Sequence, residues 1–144
     1  MVQHVGMGSH DDALTATLHS GMPLCKTLGM VTVAAGPGEV VLQLHYDKTL
    51  STAGGLMHGG ALMALADSAG ALCAFLNLPD GAAGTATIES KTNMLGAVTA
   101  GVVTATARPL QVGSRIIVVE TELTCEGQLV AKTIQTQIVK MPRS

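Results

Sequence analysis

The stretch His58-Gly59-Gly60-Ala61-Leu62-Met63-Ala64-Leu65-Ala66-Asp67-Ser68-Ala69-Gly70-Ala71-Leu72-Cys73-Ala74-Phe75-Leu76 decides the fold. It predicts one helix over 61–78, opened by two glycines, in which Asp67 is the single charge. A helix apolar on every side is wrapped by protein or by lipid. Aspartate in mid-helix is disfavoured by propensity, so its presence asks for a compensating role. The expectation is a buried helix that carries a catalytic group.

Lipid is the competing wrapping, because Gly59–Leu78 is about long enough to span a bilayer. A mid-helix carboxylate is costly there, and no Lys/Arg cluster flanks either end. The rest of the chain also has the pattern of soluble strands. No membrane association is expected.

Composition narrows the class further. A chain of 144 residues is expected to form a single domain over 1–144 with a core of its own. Net charge −2 without a Lys/Arg cluster argues against a nucleic-acid surface. Cys25, Cys73 and Cys125 are scattered and odd in number, which suggests a reducing compartment, and no basic-then-apolar leader is seen; a cytoplasmic location is expected. One Phe and one Tyr leave the core to Ala, Val, Leu, Ile and Met. His4, His10, His19 and His45 show no ligand spacing, so no metal is expected.

Outward from the central helix, residues 1–10 lack periodicity and are expected to be loose. A short helix is predicted over 11–20, capped by Ser9 or Asp11 and ended by Gly21-Met22-Pro23. Strands follow at 29–35 and 39–45 around the turn Gly36-Pro37-Gly38. Beyond the helix four strands are predicted, at 85–95, 101–107, 115–124 and 130–139. Ile117, Val119, Thr121 and Leu123 share one face, and Glu126-Gly127 forms a hairpin turn. Helix, two strands, long helix and four strands make an α+β arrangement: an antiparallel sheet with its helix on one face.

The chemistry can be read from the same residues. A hydrolytic site needs a base or nucleophile, a donor for a developing oxyanion, and a slot for the substrate. Asp67 could attack a carbonyl directly or activate water, and apolar surroundings would raise its basicity. Gly59 and Gly60 stand at a helix start, where free N–H groups can hold an oxygen and missing side chains allow close approach.

His58-Gly59-Gly60, six small or apolar residues, then Asp67, and downstream Thr87-Ile88-Glu89-Ser90-Lys91-Thr92-Asn93-Met94-Leu95, resemble the PaaI-type acyl-CoA thioesterases of the hotdog superfamily. The likeness covers roughly 29–140. It implies a curved antiparallel sheet wrapped around the long helix, and two subunits pairing their sheets edge to edge. By the same likeness Thr87 helps place an attacking water. An asparagine common in that family six residues before the histidine is Thr52 here.

On this reading the substrate is an acyl-CoA and no separate cofactor is expected. His58 orients the oxyanion loop. Leu56, Met57, Met63, Leu72 and Met94 line an adaptable apolar pocket. Arg108, Lys91 and Gly113-Ser114-Arg115 are candidates for the CoA phosphates. Gly59 and Asp67 are eight residues apart, about 12 Å along a helix, so one carbonyl cannot touch both. A homodimer with shared sites, or a dimer of dimers, is therefore expected. Two other readings stay open: a hotdog hydratase or dehydratase, and a non-catalytic acyl-thioester or lipid-binding module.

Overall fold

The computed structural model describes residues 9–144. The expectation of a loose 1–10 segment therefore lies almost wholly outside the described residues; Ser9 and His10 are irregular.

Two helices open the chain where the sequence predicts one. In α1 (Asp12–Gly21) the Asp11 side chain accepts the Leu14 N–H at 2.8 Å, as an N-cap does. Pro23 does not end helical structure; it starts α2 (Pro23–Leu28), at a first-turn position where its missing N–H is not needed. Gly29 then stops α2 in the left-handed region, at φ 84°.

Six strands follow: β1 (Val31–Ala35), β2 (Val40–His45), β3 (Gly84–Met94), β4 (Val102–Val112), β5 (Ile116–Cys125) and β6 (Gln128–Lys140). They form one sheet in the order β1-β2-β4-β5-β6-β3, with every pairing antiparallel. β4 does not end near Pro109 as the sequence suggests. Pro109 keeps a register partner in Val119, a bulge directly after it leaves Leu110 unpaired, and pairing with β5 continues to Val112. Glu126 and Gly127 both take positive φ, 52° and 78°, which gives the tight turn of the β5–β6 hairpin.

The long helix α3 (Gly59–Phe75) lies across the inner face of this sheet. Leu62, Leu65, Ala66, Ala69 and Cys73 are buried against Leu42, Leu44, Val103, Ile117, Val119 and Leu123. The small residues on that side of α3 let its backbone approach the sheet, which suits a core with almost no aromatics. The α+β, hotdog arrangement expected from the sequence is the one observed. Among the described residues, no helix is long and apolar enough to cross a membrane.

One expectation fails in a useful way. The helix is apolar all round but is not enclosed all round, because Met63, Asp67 and Phe75 are exposed along one side. That open side adjoins β3, an edge strand whose residues 87–91 are all exposed. The opposite edge, β1, is tied to α1: the Asp11 N–H donates to the Thr32 carbonyl, and the Thr32 N–H to Thr15 Oγ1. The bare surface is thus concentrated on one side of the molecule.

Candidate active site

Asp67 is held in place by two neighbouring strands. Thr87 Oγ1 of β3 donates to its Oδ1 at 2.7 Å, and Gln135 Nε2 of β6 donates to the same oxygen at 3.0 Å. Gln137 Nε2, two residues along β6, donates in turn to Thr87 Oγ1. Both glutamines are completely buried, and the sequence reading missed them. Neither donor reaches Oδ2. The carboxylate therefore has one oxygen fixed by the protein and one that accepts no hydrogen bond among the described residues, on a residue that is exposed.

The helix start is organised by its own side chain. His58 is the N-cap of α3, and its Nδ1 accepts the Gly60 N–H at 2.7 Å. An accepting Nδ1 leaves the ring proton on Nε2. A Cβ on residue 60 would stand 2.8 Å from that Nδ1, so only glycine lets the imidazole close over the helix end. The Ala61 and Leu62 N–H groups both turn to the His58 carbonyl. Among the described residues, Gly59 is left as the first-turn residue whose N–H has no hydrogen-bond partner, in the half-exposed position an oxyanion donor needs.

The loop that delivers the chain to His58 is tightly folded. Tyr46 Oη donates to the Gly55 carbonyl at 2.7 Å, and the His58 N–H to the Leu50 carbonyl at 2.8 Å. Gly54 and Gly55 turn it with φ of 81° and 75°. Thr52 is exposed on this loop; its backbone N–H bonds the Leu56 carbonyl, while its hydroxyl makes no bond.

The expected apolar pocket divides in two. Met94 Cε lies 3.3 Å from where a Gly59 Cβ would be, so Met94 does meet the helix start, and Met63 and Leu56 are exposed nearby in sequence. Met57 is not at a surface but in the core, with its N–H bonded to the Val98 carbonyl. Leu72 faces elsewhere, into a groove of about 590 Å³ between α1, α3 and the start of β3. Leu14, Leu18, Met22, Phe75 and Thr85 also line it. Ala71, one turn beyond Asp67 on α3, lines the groove as well, while Asp67 itself does not.

The candidate phosphate contacts are dispersed. Arg108 on β4 is paired with Glu39 at 2.6 Å rather than free. Arg115 follows the turn formed by Gly113 and Ser114, where the Gly113 N–H bonds the Ile116 carbonyl, and Arg115 and Lys91 are exposed. A Cβ at Gly113 would lie 2.8 Å from the Ile116 carbonyl, which makes glycine necessary to that turn.

Residues 54–132, which carry α3 with its lone carboxylate and the strands that follow it, match the model of the thioesterase superfamily. The chain belongs to the thioesterase superfamily. It is 32% identical over 108 residues to the 1,4-dihydroxy-2-naphthoyl-CoA hydrolase of Listeria monocytogenes, covering 74% of this chain and 86% of that one. Among solved structures it is similar to thioesterase HI1161 of Haemophilus influenzae: TM-score 0.79, 28% identity, and 88% and 87% of the two chains covered. It also resembles a variant of the phenylacetic acid degradation protein PaaI of Thermus thermophilus, with TM-score 0.75, 28% identity, and 83% and 99% covered.

Proposed function

We propose that this protein hydrolyses an acyl-CoA, or a related acyl thioester, to the free acid and the thiol. The observation that carries the reading is the half-anchored Asp67: among the described residues Oδ1 takes both hydrogen bonds and Oδ2 takes none, and the residue lies on the exposed side of α3. Oδ2 is then the oxygen that attacks the thioester carbonyl or takes a proton from water. The negative charge that develops on the carbonyl oxygen is received by a backbone N–H, and Gly59 has one free. His58 holds the helix start in the shape that aims this donor, leaving its own Nε2–H to face the substrate.

Gly59 and Asp67 belong to one helix and stand about 12 Å apart along it, so each site takes them from two different subunits. Two copies related by a two-fold axis, with their α3 helices antiparallel, supply that pairing twice. The exposed β3 edges, including Ile88, which is 55% exposed, are the surfaces that would join. The acyl group runs from Asp67 past Ala71 into the groove between α1 and α3, which suits a medium acyl or an aryl-acetyl group. Arg115 and Lys91 are the exposed cations available to the CoA phosphates, and no cofactor besides the substrate's own CoA takes part.

Thiol release from a panel of acyl-CoAs of varied chain length and aryl substitution tests this. Hydrolysis by the wild type, lowered about a hundredfold or more in Asp67→Asn, is expected. Hydration without thiol release would replace the reading with that of a hydratase, and binding without turnover with that of a carrier module.

A further inference from the structure

We propose that Gln135 and Gln137 are positioning residues for the Asp67 carboxylate, forming with Thr87 a one-directional row of donors that fixes which carboxylate oxygen reacts. The inference deepens the hydrolase reading and rests on it.

The direction of the row follows from donor and acceptor inventory. An ionised carboxylate can only accept. Thr87 has one hydroxyl proton, and it is committed to Asp67 Oδ1. Whatever Gln137 presents to Thr87 Oγ1 must therefore donate, which makes it the amide nitrogen. Its Oε1 then faces Thr85 Oγ1 at 3.1 Å, whose proton it shares with the Ile138 carbonyl. Donation runs from Thr85 to Gln137 to Thr87 to Asp67, and Gln135 adds a second donor directly. With its proton so committed, Thr87 can accept from an attacking water but cannot donate to it. Thr87 thus positions the carboxylate first.

The fold tolerates several unfavourable features to keep this row. Two primary amides are completely buried on the inner side of β6, where apolar residues would pack without polar partners. Gln135 Oε1 has no hydrogen-bond partner among the described residues, a desolvation cost that Leu or Met would not carry. Gly70 of α3 stands opposite it; a Cβ there would overlap the Gln135 amide. A glycine inside a helix is itself destabilising relative to alanine. Three local departures from good packing converge on one contact, the nitrogen of Gln135 on Asp67. Such convergence marks a functional constraint.

The experiment combines kinetics with crystallography on the full chain. Gln135→Met and Gln137→Met keep side-chain length and remove the donor. Each is expected to lower kcat about tenfold while KM stays within about twofold, because the groups act on the reacting carboxylate and not on the bound substrate. Gln137 acts only through Thr87, so adding Gln137→Met to Thr87→Val should cost nothing further; multiplying losses, or wild-type kcat in either glutamine variant, would overturn the inference. Should a methionine variant fail to fold, Gly70→Ala displaces Gln135 by one methyl group on an otherwise improved helix, and is expected to show the same loss. Crystal structures decide the matter even if no acyl-CoA is turned over, an outcome that would defeat the hydrolase reading alone. In the wild type, Oδ1 should bond both Thr87 and Gln135, and in Gln135→Met the carboxylate should occupy more than one rotamer. A carboxylate that keeps its place without the glutamine contradicts the proposal.

Discussion

His58 Nδ1 accepts the Gly60 N–H at 2.7 Å, so the side chain that precedes α3 closes over the second residue of the helix and leaves the first, Gly59, with its N–H free. The cap residue and the candidate oxyanion donor are thus consecutive in the chain, and the cap decides which N–H is available.

Gly60→Ala sets two effects against each other. A Cβ at this position would meet His58 Nδ1 at 2.8 Å and Cε1 at 3.0 Å, so the imidazole must leave. Loss of an N-cap costs about 0.5–2 kcal/mol, while replacing glycine with alanine in a helix gains about 0.8–1 kcal/mol. Thermal stability should therefore change little, while kcat falls because the helix start loses its shape. His58→Ala loses the cap without the gain and should be destabilised by about 1 kcal/mol. Thermal melts and thiol-release assays on the two variants check both halves.

Thr52 has no side-chain partner among the described residues, and the role expected of it is toward substrate or water. Thr52→Val should leave stability unchanged and lower kcat/KM by up to about tenfold, the worth of one neutral hydrogen bond. Thr52→Asn should keep or raise activity. Wild-type kinetics in Thr52→Val would remove the loop from the site.

Burial pushes the Cys73 thiol up to about 11 from its ordinary 9.0. In the unfolded chain the thiol ionises near the lower value, while in the folded protein it keeps its proton until the higher one. Between them the unfolded state binds fewer protons, so stability falls as pH rises through that window, by on the order of 2 kcal/mol at its upper end. Burial raises Cys25 in the same direction. Denaturant melts at about pH 8 and about pH 10.5 should show a smaller pH-dependent loss in Cys73→Ala than in the wild type. Equal losses would mean that Cys73 does not titrate in this window.

What could be read from sequence was whatever local periodicity encodes. The lone carboxylate in α3 and the two glycines after His58 stand out against an apolar run. The buried phase of β5, with Ile117, Val119 and Leu123 inward, follows its alternation. β6 does not behave so. Hydrophobicity would turn Ile134 and Ile138 inward, yet they are 41% and 39% exposed while Gln135 and Gln137 are buried beneath α3. The glutamines were invisible because the polar phase of a strand normally faces water; only the pairing of β6 with β5 and β3 reverses it. Pro23 and Pro109 misled for a related reason. Proline reads as a stop, but a helix start and a bulge both accommodate a missing N–H. The exposure of Asp67 was hidden too, since nothing in a single apolar helix says which of its sides the chain itself will cover.

The shared site is tested most directly by complementation between Asp67→Asn and Gly59→Pro. His58 already has φ −62° and ψ 133°, the extended conformation preferred before proline, so Gly59→Pro removes the N–H donor without forcing the helix start to move. Each variant alone should be inactive in thiol release. When the two are mixed and their subunits re-paired at random, half of the dimers combine one of each. Every such dimer carries one site with both lesions and one with neither. Activity should then recover to about a quarter of the wild-type level, as two-fold symmetry requires. Verified subunit exchange with activity no higher than in the parents would contradict the pairing of Gly59 from one subunit with Asp67 from the other.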